Sequence, residues 1–273
     1  WNGAAWSTLG AGVSLPVHAL TVFDDGGGDS LFAGGSFGSI GGVSVGDIGK
    51  FDGASWSALG DGLNGEVLAL LATDGVSSNS PALYAGGRFY TAGGKSVNFI
   101  AEWNGSSWSA LGTGMNSEVS SLAIFDDGLG AGPALYAGGG FSIAGGANIE
   151  KIAKWDGSAW SPLGAGMNGY VRALTVFDDG GGPALYAGGG FTTAGGIAAK
   201  HIAKWDGSAW FALGAGALSD VFALAVFDDG TGSGPLLYAG GTFGGVANSI
   251  AKWNGASWSA LGAGLNHYVR ALE

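Results

Sequence analysis

Three carboxylates, Glu66, Glu118 and Asp220, each stand immediately ahead of an apolar run that opens with valine: Val67-Leu-Ala-Leu-Leu71, Val119-Ser-Ser-Leu-Ala-Ile124 and Val221-Phe-Ala-Leu-Ala-Val226. Acids delivered to equivalent places by equivalent runs would suit the hydrolysis of a glycosidic bond. That reaction needs one carboxylic acid to protonate the leaving oxygen and a second carboxylate as base or nucleophile, with the carboxyl groups roughly 5–10 Å apart. The same three residues serve equally well as a solvated rim of charge. Pro16, Tyr170 and Tyr268 occupy the matching place in the other copies, and His18, Arg172 and Arg270, two places further on, are candidate partners.

Two further sets of side chains carry chemistry. The doublets Asp24-Asp25, Asp126-Asp127, Asp178-Asp179 and Asp228-Asp229, each followed by glycine, put carboxylates beside free carbonyls, the oxygen donors that Ca²⁺ takes. Asp126, Asp127, Asp178, Asp179, Asp228 and Asp229 are thus weak calcium candidates. The spacing Asp-x-Asp-x-Asp-Gly is missing, the second copy has only Asp74-Gly75, and a plain turn in which aspartate bonds its own backbone accounts for the same residues. The segments Ser36-Phe-Gly-Ser-Ile40, Arg88-Phe-Tyr-Thr-Ala92, Gly140-Phe-Ser-Ile-Ala144, Gly190-Phe-Thr-Thr-Ala194 and Thr242-Phe-Gly-Gly-Val246 begin alike and then diverge. Read as loops on a rigid scaffold, they are where binding is expected. They and their neighbours supply the ligand-binding candidates Arg88, Tyr90, Lys95, Glu150, Lys151, Tyr170, Arg172 and His201, although drift of unconstrained loops explains the divergence as well.

These residues need a frame, and the frame is a repeat. Trp155-Asp-Gly-Ser-Ala-Trp160, followed by Ser-Pro-Leu-Gly164, recurs from Trp1, Phe51, Trp103, Trp205 and Trp253, every 48–52 residues. In the fourth copy Val171–Phe177 is rich in apolar and β-branched residues, as a strand buried on both faces would be. Asp178–Pro183 reads as a turn, Ala184–Gly189 as the second strand, and Phe191–Ala199 as a longer loop. His201–Trp205 and Ala209–Leu213 are the third and fourth strands, and Asp206-Gly207 between them is expected to form a two-residue type I′ turn with positive φ at both positions. Four antiparallel strands per unit, repeated with no helical period, select a β-propeller. The 11 tryptophans offer sugar-stacking surfaces but are better read as blade-to-blade packing.

The order of apolar strand, Leu185-Tyr-Ala-Gly-Gly189, Trp205 and Trp210 resembles the kelch type of propeller blade. The fuller wording, Leu-Tyr-Ala-Gly-Gly-x-Phe with Ile-Ala-Lys-Trp-Asp-Gly and Trp-x-x-Leu-Gly-x-Gly, is similar to Rax2-type cortical-polarity repeats and related secreted bacterial propellers. The resemblance covers essentially the whole chain and implies an extracellular or surface-attached scaffold with no catalytic residue carried over. A copper-radical oxidase, the enzymatic relative of the kelch fold, needs a cysteine, and this chain has none.

The expected architecture is therefore an all-β propeller in one domain over 1–273. Four-stranded blades are expected at about 17–61, 67–112, 119–164, 171–214 and 221–262. Residues 1–12 and 253–262 are equivalent outer-strand copies that compete for closure. Five blades are favoured; six, or a ring completed between molecules by pairing of terminal strands, are the alternatives. Arg270-Ala-Leu-Glu273 stops where Arg172-Ala-Leu-Thr-Val-Phe177 continues, so a longer natural protein is expected.

Composition narrows the partners. A net charge of −11 with ten scattered Lys and Arg opposes nucleic acid and anionic membranes, since phosphate binding needs a basic stripe. No apolar stretch approaches the length of a spanning helix, so no membrane insertion is expected. Three distant His and no Cys make a zinc or copper site improbable, no nucleotide fingerprint is found, and no cofactor is expected. The leading expectation is a non-enzymatic, secreted or cell-surface scaffold that binds a protein or glycan through its variable loops. A glycoside hydrolase or lyase using Glu66, Glu118 and Asp220 is the first alternative, and a multivalent lectin with one pocket per blade the second. Near-identical blades favour scaffold or lectin, because an enzyme needs blades that differ.

Overall fold

The computed structural model describes residues 3–13, 15–74, 81–230, 232, 234–243 and 248–272. Trp1, Asn2, Gly75, the loop residues 244–247 and Glu273 lie outside the described residues. Sheet 1 pairs Val17–Asp24, Asp29–Gly35, Ile48–Phe51 and Trp56–Ala58 in that order. Sheet 2 follows with Glu66–Thr73, Ala82–Arg88, Ile100–Trp103 and Trp108–Ala110; sheet 3 with Val119–Phe125, Ala134–Gly139, Ile152–Trp155 and Trp160–Pro162. Sheet 4 is built from Val171–Asp178, Pro183–Gly189, Ile202–Trp205 and Trp210–Ala212, and sheet 5 from Val221–Phe227, Leu236–Gly241, Ile250–Trp253 and Trp258–Ala260. Five four-stranded antiparallel sheets in succession, with no helix among the described residues, make the fold all-β and its repeating element the blade of a β-propeller. The chain divides into two compact units, Trp1–Val119 and Ser120–Glu273.

Two local expectations are corrected. The stretch Phe191–Ala199 is not a plain loop: Thr193–Ala194 pairs with Ile197–Ala198 around Gly195-Gly196, whose φ values are +56° and +87°. Sheets 1, 2 and 3 carry the same small hairpin around Gly41-Gly42, Gly93-Gly94 and Gly145-Gly146. Gly-Gly supplies the two positive φ values that the tight hairpin needs. The Asp-Gly pairs, by contrast, are not type I′ turns. Gly157 and Gly207 have φ of +97° and +105°, while Asp156 and Asp206 are not among the residues with positive φ. The carboxylate supplies the turn instead: Asp206 Oδ1 accepts from the backbone N–H groups of Ser208 and Ala209, both at 2.8 Å, and Asn254 does the same for Ala256 and Ser257.

Neighbouring sheets meet at one recurring joint. The first glycine of the Gly-Gly strand end in sheet 1 lies under the next sheet, where an added Cβ on Gly34 would fall 2.5 Å from Val67 and 3.3 Å from Leu70. In the second unit the same seat is Gly138 under Val171 and Leu174, and Gly188 under Val221 and Leu224. A β-branched side chain can then press directly on backbone, which fills the space between sheets at the density of a protein interior.

Aromatic pairs close the opposite end. Trp205 and Trp210 sit with ring centroids 5.3 Å apart, and Phe51 with Trp56 at 5.2 Å. The second ring of the pair also ties one repeat to the one before: Trp108 Nε1–H donates to the Leu59 carbonyl at 3.0 Å and Trp210 Nε1–H to the Leu163 carbonyl at 2.9 Å. Trp103, Trp108, Trp155, Trp160, Trp205, Trp210 and Trp253 are buried, so these rings pack the core and offer no sugar platform.

Gly188→Ala is expected to lower stability by about 1–3 kcal/mol through overpacking against Val221. Gly38→Ala, where a Cβ meets nothing within 4 Å, should change it by less than about 0.5 kcal/mol. Thermal and urea denaturation of the two variants checks the contrast.

Candidate functional site

Each sheet has one irregular end, where the Gly-Gly strand finishes. Two backbone irregularities recur there. The first strand bulges one place after its valine, so that the register jumps from Val17 to Ala19, Val67 to Ala69, Val171 to Ala173 and Val221 to Ala223. The bulged residues are His18, Leu68, Arg172 and Phe222. A bulge re-aims a side chain, which is why it suits a site.

Beside it, the residue that precedes the third strand is left-handed in every sheet although it is never glycine: Asp47 (φ +63°), Phe99 (+71°), Lys151 (+66°), His201 (+64°) and Ser249 (+69°). Two backbone bonds hold it. The His201 carbonyl accepts from Gly189 N–H at 2.9 Å, and its own N–H donates to the Phe191 carbonyl at 2.8 Å. The pattern repeats at Asp47 with Gly35 and Phe37, and at Phe99 with Gly87 and Phe89. Backbone held in this sparsely populated region by surrounding structure is characteristic of ligand clamps. The backbone is thus constant while the side chain runs from acid to aromatic to base.

In the first unit these positions build an ion-pair network. Glu66 Oε1 lies 2.9 Å from His18 Nε2 and accepts from Ser36 Oγ at 3.0 Å, while Glu66 Oε2 accepts from Arg88 Nη1 at 2.8 Å. Arg88 Nε reaches Glu118 Oε2 at 3.5 Å, so one guanidinium bridges the two acids singled out in the sequence. Burial pushes the Glu66 carboxyl up, but the Ser36 hydroxyl, Arg88 and His18 together hold it below the usual carboxylate range. Asp47 is pushed the other way, by burial and by the charge of Glu66.

In the second unit the same positions carry rings and guanidinium groups. Arg172 lies over the Tyr170 ring at 5.5 Å and over the Phe222 ring at 5.3 Å. Phe222 meets Tyr268 edge to face at 6.3 Å, and Arg270 covers the Tyr268 ring at 4.9 Å. A continuous ladder of rings and cations results, with Tyr170, Arg172, Tyr268 and Arg270 exposed along it. Asp220 closes its side, with Oδ2 at 3.5 Å from Arg172 Nε and Oδ1 at 3.7 Å from His201 Nδ1. Cation–π contacts of this kind contribute roughly 0.5–1 kcal/mol each at exposed sites.

The candidates therefore separate. Tyr170, Arg172 and His201 come together with Asp220, and Arg88 joins Glu66 and Glu118. Lys95 is committed elsewhere, its Nζ donating to the Trp108 carbonyl at 2.9 Å. Tyr90 is exposed and stacks edge to face on Phe99 at 4.9 Å, while Glu150 pairs with its neighbour Lys151 at 3.1 Å. Phe222, Asp47 and Phe99 were missed; the signal was the single variable residue ahead of each third strand and just after the opening valine of each first strand.

The aspartate doublets split into two structural tasks. The first member caps its turn: Asp178 Oδ1 accepts from Gly180 N–H at 2.8 Å and Gly182 N–H at 2.9 Å, Asp126 from Gly128, and Asp228 from Gly230. The second pairs with the lysine ahead of the aromatic: Asp25 with Lys50 at 2.7 Å, Asp127 with Lys154, Asp179 with Lys204 at 2.7 Å and Asp229 with Lys252 at 3.2 Å. Tyr186 Oη donates to Asp179 at 2.8 Å, and burial with that carboxylate beside it pushes the phenol far up. Burial raises the Asp179 carboxyl, yet Lys204 and Tyr186 outweigh it and hold it down. In sheet 2 the lysine position is Glu102, which burial pushes up.

Two measurements follow from these bonds. Asp156 and Asp206 are held below their ordinary value of 3.8, chiefly by the backbone N–H groups of Ala159 and Ala209. A depressed folded-state value stabilises the protein above the unfolded-state value and is lost as pH falls through the folded one. Asp156→Asn with Asp206→Asn, copying Asn104 and Asn254, removes that share, so the variant should melt below the parent near neutrality and converge with it below about pH 4, its own fall being flatter. Calcium and a chelator should leave the melting temperature of the parent chain alike.

No family model matches the chain. A segment of 106 residues, 37% of this chain, is 34% identical to the Polarized growth protein L1 of a Phoma species and spans 8% of that protein's length. Among solved structures, the extracellular domain of a putative hybrid two-component system from B. thetaiotaomicron superposes over 87% of this chain and 32% of its own, with a TM-score of 0.40 and 11% identity. No helix of the described residues is long and apolar enough to cross a membrane.

Proposed function

We propose that the protein is a non-catalytic binding module of a secreted or cell-surface protein, which holds a protein or glycan ligand on the side chains displayed by the bulges and left-handed residues. The observation that carries this reading is the recurring left-handed position: one fixed backbone, which leaves Asp47, Lys151 and His201 part-exposed and holds Phe99 and Ser249 buried. A scaffold that keeps its frame and varies only the displayed group is built for recognition. The Tyr170–Arg172–Phe222–Tyr268–Arg270 ladder supports it, because Tyr and Arg dominate the energetics of binding surfaces. An extracellular setting is supported by the resemblance of the repeats to secreted propellers.

Glycosidic hydrolysis by Glu66, Glu118 and Asp220 fares worse on chemistry. A general acid needs its pKa raised towards the working pH. Glu66 is pulled down by Ser36, Arg88 and His18, and Glu118 shares the same guanidinium. A lectin with one equal pocket per blade is disfavoured by the inequality of the displayed residues and by the burial of the tryptophan pairs.

A thermal-shift panel of oligosaccharides, with candidate surface proteins in parallel, tests the proposal. A ligand at about 100 times its Kd should add about 2.7 kcal/mol to the folded state. Arg172→Ala and Tyr170→Ala should weaken that ligand about tenfold or more without moving the melting temperature of the free protein by more than a degree or two, since both side chains are exposed. Hydrolysis of aryl glycosides that disappears in Glu66→Gln would overturn the non-catalytic reading.

A further inference from the structure

On sheets 2 to 5 the residue ahead of the opening valine leans back over the residue that follows the Gly-Gly pair of the sheet before. In the first unit both members of this contact are polar side chains. Glu66 accepts from Ser36, and Glu118 meets Arg88, which also bonds Glu66 of its own sheet. On sheets 3 and 4 the residue after Gly-Gly is itself glycine. An added Cβ on Gly140 would fall 2.5 Å from the Tyr170 ring, and one on Gly190 would fall 3.2 Å from both carboxylate oxygens of Asp220.

Gly190 therefore leaves Asp220 without the partner that Arg88 gives Glu118. The Asp220 carboxylate has nothing closer than Arg172 Nε at 3.5 Å and His201 Nδ1 at 3.7 Å, and that histidine nitrogen lies nearer the Gly189 carbonyl, at 3.2 Å. Arg172 is only half committed as well. Its guanidinium lies over the Tyr170 and Phe222 rings and its Nε turns to Asp220, but its two Nη groups have no partner among the described residues. A carboxylate that accepts and a guanidinium that donates thus stand side by side within the second unit, next to the exposed ring of Tyr170.

We propose, on the reading that this end of the second unit binds a ligand, that the ligand is an uncharged glycan, and that Asp220 and Arg172 hold two adjacent hydroxyls of one pyranose ring. A hydroxyl both donates and accepts, so a neighbouring pair gives its protons to the carboxylate while taking N–H groups from the guanidinium. An ammonium only donates and a carboxylate only accepts, so each would satisfy one partner and repel the other. The Tyr170 ring supplies the apolar platform beside the few polar groups that orient a ligand. Charge argues against an acidic glycan, because Asp220 offsets Arg172 at the site and the chain as a whole carries −11.

Isothermal titration calorimetry with cellohexaose, mannohexaose, xylohexaose, 1,4-linked galactohexaose and hexagalacturonate reads the choice of ligand. One of the neutral oligosaccharides should bind, and the galacturonate should bind at least about tenfold more weakly. Periodate, which cleaves the carbon–carbon bond between adjacent hydroxyls, should abolish binding of that oligosaccharide. Asp220→Asn and Arg172→Lys should each weaken it about tenfold or more. Gly190→Arg, which gives Asp220 the partner that Arg88 gives Glu118, should block binding with the melting temperature kept or raised. The proposal is overturned if none of the neutral oligosaccharides binds, or if the one that binds does so equally well after periodate or in Gly190→Arg. A protein or the galacturonate binding instead, and losing affinity in Arg172→Ala, would leave the binding-module reading standing and remove only the neutral glycan.

Discussion

Everything in this structure depends on a valine and a leucine of one sheet resting on a glycine of the sheet before. Without the Cβ, the Gly-Gly strand end lets the neighbouring backbone come close enough for Val67 to press on Gly34 and Val221 on Gly188. The apolar residues on either side are then drawn into shared clusters. In the first unit Phe32 and Ile48 of sheet 1 join Val67, Leu83 and Phe89 of sheet 2. In the second, Tyr186 and Ile202 of sheet 4 join Val221, Leu237 and Phe243 of sheet 5. Burial of apolar surface at about 25 cal/mol per Å² rewards each added sheet, which is why so glycine-rich a chain has an ordered interior.

The same glycines shape the binding end. Where the Gly-Gly strand finishes, its neighbours can no longer run in regular register: the first strand bulges and the third is entered through a left-handed residue. These positions are conformationally costly, at about 1–3 kcal/mol for a strained residue, and the two backbone bonds at each one hold it there. Asp47, Lys151 and His201 stay part-exposed there, whereas Phe99 and Ser249 are buried. The first unit fills this end with an ion-pair network around Glu66 and Arg88, and the second with rings and guanidinium groups around Arg172. One frame thus carries two chemistries.

Charge elsewhere is spent on local order. The first aspartate of each doublet and the aspartate or asparagine after each Trp hold turns by accepting backbone N–H groups. The second aspartate holds the lysine of the third strand. These bonds explain why a chain with so few charged residues repeats the same ones, and why carboxylates grouped in sequence do not gather as ligands: among the described residues no three His, Asp or Glu side chains come together to hold a metal.

The sequence alone determined the repeat, the four strands of each unit and the identity of the packing residues, because a period of about 50 residues and short apolar runs between turn residues are properties of the chain itself. It also marked the pre-strand acids and the variable segments as places to look. Only the tertiary structure decided which of those residues meet. That Arg88 joins Glu66 to Glu118, while Lys95 is tied to the Trp108 carbonyl, depends on register between strands far apart in sequence. The left-handed residues were not legible as a set from residue type: Asp and His tolerate positive φ better than most, but Phe, Lys and Ser do not, and it is the surrounding hydrogen bonds that impose it on all of them. The Asp-Gly turns show the reverse: a familiar pair suggested one turn geometry, and a side chain that could accept two N–H groups selected another.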